Sequence, residues 1–432
     1  MVSCYELGRQ PVAVGAALAA LEAAGFRPSV QDVSVDRLDV AALARARLVA
    51  ISVPMHTALR LGTRVAAQAA EGAHVSFFGL YAALNASHLR EKHGDSIVLD
   101  EGRLVELAQA LERGEPAPSD LTLPSRAMPL PSRAALPVLE RYAQLETAQG
   151  LRLVASVEAS RGCKHLCRHC PIVPVWQGKF VALDRALVLA DIEQQVARGA
   201  SHVSFGDPDF LNGPTHALKL VRELHERFPA VTFDATIKIE HLLQHRALLP
   251  ELARAGCLFV LSAVESLNDR VLAALDKGHT AADVPLAIAA VREAGMELRP
   301  TLLPFTPWTA LGDSAELCDF ALEHGLDLDP VQLTLRLLIP PGSRVLELAG
   351  PWLGPLDQAA FGYRWTHEDP RVDALCAEST ALVAAAAARG DEPGDTLEEL
   401  RALAGRAVGR PARELPRTPR RKSPRLTEPW FC

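Results

Sequence analysis

Three cysteines fall within eight positions, in the run Cys163-Lys-His-Leu-Cys167-Arg-His-Cys170. Three thiolates on one short loop can hold three irons of a cubane [4Fe–4S] cluster and leave the fourth iron open for another ligand. A structural zinc ion is the competing reading, with His165 or His169 as fourth ligand. Zinc sites usually draw paired ligands from two separate knuckles, whereas here a single contiguous loop supplies all three, which favours the cluster. The other cysteines, Cys4, Cys257, Cys318, Cys376 and Cys432, are scattered. That distribution is no disulfide framework and points to the reducing cytoplasm.

Further residues capable of chemistry sit where apolar runs end. Phe205-Gly206-Asp207-Pro208-Asp209 offers a glycine that permits close backbone approach and a carboxylate with acceptor capacity. In Thr236-Ile-Lys238-Ile-Glu240-His241, Lys238 and Glu240 alternate with apolar residues and so share one strand face. They either pair with each other or face a site together. Ser262 and Glu265 end another run. Arg299 and Thr301 share a strand face, where Arg299 could neutralise a carboxylate of a cofactor or substrate. Arg336 lies inside an apolar run and needs a partner, in an ion pair or in a substrate.

The elements that must carry these residues alternate between strand and helix. Strands are expected at Leu151–Glu158, His202–Phe205, Val231–Thr236, Leu258–Ala263, Glu297–Leu303 and Val331–Leu335. Helices are expected at Ala182–Ala197, Pro214–Phe228, His241–Ala255, Asp269–Leu275, Ala282–Ala294 and Ser314–His324. Six such repeats over 151–348 suggest a partial (βα)6 barrel of the TIM type, whose sites lie where strands run into βα loops. Residues 1–113 alternate likewise. Strands are expected at Arg27–Val33, Leu48–Val53 and His74–Phe78, with helices at Pro11–Ala24, His56–Ala70 and Tyr81–Lys92, which predicts a Rossmann-like parallel sheet. Residues 114–150 are rich in proline and read as a linker that can pack along a domain surface. Residues 349–409 read as a helical extension, with helices at Asp373–Arg389 and Thr396–Ala407. Residues 410–432, with Arg413, Arg417, Arg420, Arg421, Lys422 and Arg425, read as a disordered basic tail.

Over the whole chain of 432 residues the formal net charge is −7, which argues against a nucleic-acid binder. No apolar run reaches the roughly 20 residues of a membrane span, and the start lacks the pattern of a secretory signal.

A CxxxCxxC loop after the first strand of a barrel resembles the radical S-adenosylmethionine superfamily. The resemblance implies that the open iron chelates the amino and carboxylate groups of S-adenosylmethionine. One electron then breaks the sulfonium C–S bond to give a 5′-deoxyadenosyl radical. It further implies cofactor contacts for His169 near the adenine, for Gly206 and Asp207 at the amino group, and for Ser262 or Glu265 at the ribose or carboxylate. A one-electron reductant such as a flavodoxin or ferredoxin, and a peptide or small-molecule substrate, follow from it. An iron–sulfur electron carrier that does not cleave the cofactor is the alternative.

Longer peptides carry a narrower resemblance: Tyr5-Glu-Leu-Gly8, Ser52-Val-Pro-Met-His-Thr57, Phe78-Gly-Leu-Tyr-Ala-Ala-Leu-Asn85, Phe205-Gly-Asp-Pro-Asp-Phe210, Thr236-Ile-Lys-Ile-Glu-His-Leu242, Ala263-Val-Glu-Ser266, Pro304-Phe-Thr-Pro-Trp308 and Arg336-Leu-Leu-Ile-Pro340. Together they are similar to a bacterial radical S-adenosylmethionine family of the cobalamin-domain type, marked by a Cys-Cys-Ala-Glu-Pro or Cys-selenocysteine-Ala-Glu-Pro tail. In the wider cobalamin-domain group a DxHxxG motif often supplies a histidine to cobalt. Here the loop after the first strand reads Gly8-Arg-Gln-Pro-Val12, and His56 stands after a later strand. The resemblance therefore leaves two readings of residues 1–113: a cobalamin site without that histidine, or a related domain kept for substrate docking. Both ends look trimmed. The first strand is a stub at Met1–Cys4, and the chain ends at Trp430-Phe-Cys432 where the family tail would continue. A UGA codon read as selenocysteine is expected next, so that Cys432 would belong to a vicinal redox pair.

Overall fold

The structure, a computed structural model, describes residues 1–124, 128–409 and 423–427. The first five strands, β1 (Val2–Ser3), β2 (Gln31–Asp32), β3 (Leu48–Ser52), β4 (His74–Phe78) and β5 (Ser96–Val98), form one parallel sheet in the order β2-β1-β3-β4-β5. Chain direction across the sheet reverses between β1 and β3, the switch point at which such sheets open a crevice for ligands. The helix Val12–Ala23 buries Val14, Ala17, Leu18 and Leu21 at helical spacing. With Leu104 and Leu107 it covers one face. Leu59, Val65 and Leu89 cover the other. The helix expected over Tyr81–Lys92 is broken at Asn85, whose buried amide donates back to the Tyr81 carbonyl at 3.0 Å. The strand expected over Arg27–Val33 is confined to Gln31–Asp32.

The proline-rich segment is pinned between domains by Arg133, the bulkiest fully buried side chain among the described residues. Its guanidinium donates to both oxygens of Asp191 (3.0 and 2.7 Å), to Gln10 Oε1 (3.1 Å) and to the Ser156 carbonyl (2.8 Å). Asp191 and Ser156 belong to the barrel and Gln10 to the amino-terminal domain, so one cation joins both.

Beyond it, β6 (Leu145–Thr147) and β7 (Gly150–Arg152) form a hairpin. The barrel sheet follows with β8 (Val154–Val157). A second hairpin, β9 (Ser160–Gly162) with β10 (Phe180–Ala182), branches off before β11 (His202–Phe205), β12 (Thr232–Thr236), β13 (Cys257–Glu265) and β14 (Glu297–Leu302). The parallel order β8-β11-β12-β13-β14 gives five staves of an open barrel, with helices outside. The sixth predicted strand, Val331–Leu335, is instead a 3-10 turn over Pro330–Leu333, which Asp329 caps through the Val331 N–H at 3.1 Å. A single bridge, Phe305 to Arg336, remains of the sixth stave. Arg336 pairs with Asp373 at 2.7 Å and stacks on the Trp365 ring at 3.5 Å, the structural role rather than the substrate one.

The extension adds a hairpin that the sequence reading lacks, β15 (Leu353–Asp357) with β16 (Gly362–Trp365), before helices Pro370–Arg389 and Pro393–Ala407. At its turn Phe361, with a left-handed φ of 54°, packs into the core of the amino-terminal domain. Of the expected disordered tail, Arg425–Leu426 form β17, which pairs with β6 under the barrel and buries Leu145 against Val154, Phe259 and Leu261. Arg413, Arg417, Arg420, Arg421, Lys422 and Cys432 lie outside the described residues. Among the described residues no helix is long and apolar enough to cross a membrane.

Candidate active site

The cysteine loop is the tip of the β9–β10 hairpin, directly after the first barrel strand. Gly162 opens it with a φ of 74°, and a Cβ there would overlap the Lys179 carbonyl and the Trp176 indole, so only glycine fits. Asp207, at the end of β11, accepts from the Ala159 N–H at 2.9 Å and from the Ser160 hydroxyl. Both its oxygens thus hold the chain entering the loop, and burial pushes this carboxyl up to about 7. Gly206 donates to the Val157 carbonyl at 2.8 Å and faces Glu158 and Arg9, with ordinary room for a Cβ.

Asn212 clamps the front of the loop. Its Nδ2 donates to Cys163 Sγ at 3.4 Å and its Oδ1 accepts from the Lys164 N–H at 3.2 Å. The Lys164 ammonium bonds the Asn212 carbonyl at 2.6 Å and lies over the Phe180 ring. On the far side the Arg168 N–H reaches the Leu275 carbonyl at 2.9 Å, and its guanidinium reaches those of Ala273 and Ala274 at a helix C-terminus. Arg344 and Ser343 bind the Leu166 and Arg168 carbonyls from outside.

Behind the loop lies a charged chain. His169 Nε2 is 3.1 Å from Glu265 Oε1, and Lys277 Nζ donates to the same oxygen at 3.2 Å. Burial alone would raise the Glu265 carboxyl, but Lys277 and then His169 outweigh it and hold it at about 2. Lys277 is itself buried. Burial acts against its proton, yet Glu265 and the nearby Cys167 and Cys170 keep it above the usual lysine range. Glu265 has a φ of 64° at a register break in β13, a left-handed backbone that costs a non-glycine residue about 1–3 kcal/mol. His279, beside this chain, is pulled down to about 4 by burial and by Lys277.

These residues fit the iron–sulfur reading. Burial raises the Cys163 thiol and pushes Cys170 up to about 12, so thiolates there need positive charge, which cluster irons and Lys277 both provide. Among the described residues, the group of three ligand atoms that all lie within 4.8 Å is His165, Asp209 and His241.

The other expected residues divide. Ser262 is fully buried in the barrel wall and its hydroxyl has no hydrogen-bond partner. Lys238 and Glu240 pair with each other at 3.1 Å, but across a helix start rather than along a strand, because β12 ends at Thr236. Arg299 does not join the site. It bonds Asp327 at 3.4 Å and the Ser423 hydroxyl at 2.7 Å, next to β17 under the barrel. Strand alternation gives the face on which a side chain lies but not its height, and Arg299 sits in the first half of β14. Asn212 and Lys277 escaped the sequence reading. The Lys277-Gly278-His279 run soon after a strand was the available signal.

At the switch point of the amino-terminal sheet, Glu6 is half-buried and its carboxyl is pushed up to about 8 by burial and by Asp32. Glu6 Oε1 and Arg9 Nε have no hydrogen-bond partner there. The crevice thus suits a polar ligand, but no histidine stands in the loop after β1. His56 Nε2 is 2.8 Å from the Ala360 carbonyl, engaged by the hairpin of the extension.

The loop of three cysteines thus stands at the carboxyl end of a parallel barrel, with a buried charged chain behind it. Residues 157–318 match the model of the Radical SAM superfamily, a domain that implies a [4Fe–4S] cluster and S-adenosylmethionine. A tRNA-2-methylthio-N(6)-dimethylallyladenosine synthase of Thiobacillus denitrificans is 25% identical over 181 residues, 38% of this chain and 39% of that one. The chain thus spans about two fifths of the length of the curated relatives it matches. Among solved structures it resembles the radical S-adenosylmethionine methyltransferase TsrM from Kitasatospora setae (TM-score 0.65, 16% identity, 95% of each chain). It also resembles the cobalamin-dependent S-adenosylmethionine radical enzyme OxsB (TM-score 0.65, 14% identity, 88% of this chain and 65% of that one). At these identities the likeness is one of fold: a parallel-sheet domain ahead of a radical S-adenosylmethionine barrel.

Proposed function

We propose that this protein reductively cleaves S-adenosylmethionine and uses the resulting radical to modify a peptide or small metabolite, working in the reducing cytoplasm with a flavodoxin or ferredoxin as electron donor. The observation that carries this reading is the placement of Cys163, Cys167 and Cys170 on one clamped loop at the barrel mouth, backed by His169, Glu265 and Lys277. When bound, the cluster would supply the electron that opens the sulfonium C–S bond. The chain's own part is to hold the loop rigid through Gly162, Asp207 and Asn212 and to keep a charged lysine beside the thiolates. Anaerobic reconstitution should load about four irons and four sulfides per chain. Reduction should then release 5′-deoxyadenosine from S-adenosylmethionine. A fully loaded, reduced protein that yields none would overturn the proposal.

The amino-terminal domain supports a further step, methyl transfer through cobalamin held without the DxHxxG histidine. TsrM and OxsB share the fold, and the crevice carries unpartnered Glu6 and Arg9 atoms. Cobalt content after anaerobic purification tests it. Membership of the Cys-Cys/selenocysteine-Ala-Glu-Pro tail family rests on the peptides quoted above, and the codons following Cys432 test it.

A further inference from the structure

Beside the cysteine loop, side chains from three successive barrel loops converge with their facing atoms unpartnered. His165 lies inside the cysteine run, Asp209 follows β11, and His241 sits in the first turn of the helix after β12. Asp209 Oδ2 is 2.7 Å from His241 Nδ1 and 3.5 Å from His165 Nε2, and the two rings are 4.6 Å apart. The Asp209 side chain is fully buried. Yet none of the three facing atoms has a hydrogen-bond partner of ordinary geometry. Asp209 Oδ1 is already used, accepting from the Leu211 N–H at 3.2 Å.

This is an unusual arrangement for groups left to themselves, since buried polar atoms are almost always paired. Glu240 Oε2 lies 3.6 Å from His165 Nδ1, so the His165 ring stands between two carboxylates. Ligand atoms about 2.1 Å from one ion, at angles between octahedral and tetrahedral, lie about 3.0–3.4 Å apart. The observed 2.7 and 3.5 Å bracket that range.

We infer that His165, Asp209 and His241 form a mononuclear site for a divalent transition-metal ion, separate from the cluster. Two imidazoles and one carboxylate select the zinc and iron(II) class over calcium or magnesium. Three protein ligands leave a coordination position for water or a substrate oxygen. Glu240, itself paired with Lys238, is the outer carboxylate that orients His165. The ion also ties the cysteine loop to the next two βα loops.

The test uses the full chain, anaerobically reconstituted, incubated with Zn(II) and desalted. Iron, sulfide and zinc are quantified and the zinc X-ray absorption edge is recorded. One zinc per chain beyond the cluster irons is expected, with a nitrogen and oxygen shell at about 2.0 Å and no sulfur at about 2.3 Å. His241→Ala and Asp209→Asn should each weaken zinc retention at least about tenfold with iron unchanged. No zinc in the wild type, sulfur in its shell, or unchanged zinc in both variants would each overturn the inference. So would loss of iron together with zinc in both variants, because the two sites would then not be separate. Failure of the cluster itself shows as missing iron in the wild type and leaves the zinc measurement readable.

Discussion

Two carboxylates near the cysteine loop are driven in opposite directions by similar burial. Glu265 is held at about 2 because Lys277 and His169 meet it, whereas Asp207 rises to about 7 because it meets only neutral donors. The consequences for stability have opposite signs. Between about pH 4 and pH 7 native Asp207 keeps a proton that the unfolded chain has released. Its contribution is full below about 3.8 and is lost as pH rises through about 7. Glu265 contributes fully above its unfolded value of about 4.5 and loses its effect as pH falls toward about 2. Asp207→Asn is therefore expected to flatten the fall in stability between pH 4 and 7, a difference of a few kcal/mol across that window, read from urea midpoints at several pH values. An unchanged slope would assign the pH dependence elsewhere. At this scale the cysteine run was legible because its ligands are contiguous in sequence. Lys277 and Asn212 were not, since their contacts with the loop cross the barrel and depend on strand register.

The hairpin β9–β10 is the element on which the site depends, and Gly162 is its tightest point. Gly162→Ala would force a Cβ against the Lys179 carbonyl and the Trp176 ring at a positive φ. A loss of about 2 kcal/mol or more is expected, with iron loading reduced in parallel, measured by chemical denaturation and by iron content after reconstitution. Full iron loading in that variant would show that the loop is less constrained than its geometry implies. The alternation of β8, β11, β12, β13 and β14 with helices was readable from apolar runs. The sixth stave misled because Val331–Leu335 has a strand-like composition, while Asp329 and Pro330 just before it start a 3-10 turn. The two-residue strands β1, β2 and β17 are too short to show any periodicity.

Across the whole molecule a buried ion pair helps to join the domains. Arg133→Met leaves Asp191 buried and uncompensated, and a loss of about 3–5 kcal/mol is expected. Adding Asp191→Leu should restore most of it, because the desolvated charge goes as well. Urea unfolding of the two variants checks this, and a double variant no more stable than the single would show that the pair holds the domains in a way apolar packing does not reproduce. The Arg161–Glu101 pair at 2.6 Å is a second such tie. None of this was visible in the sequence, where residues 114–150 read as a linker and Arg133 as one arginine among many.

Phe361 has a consequence of another kind. It completes the core of the first domain, yet it is encoded after the entire barrel. A ribosome adding about 5–20 residues per second reaches it on the order of ten to fifty seconds after the amino-terminal sheet has emerged. During that interval the first domain waits, one aromatic short, for a side chain that only the end of synthesis delivers. Vectorial folding of this chain is thus a loop closed backwards, in which the earliest domain is the last to be finished.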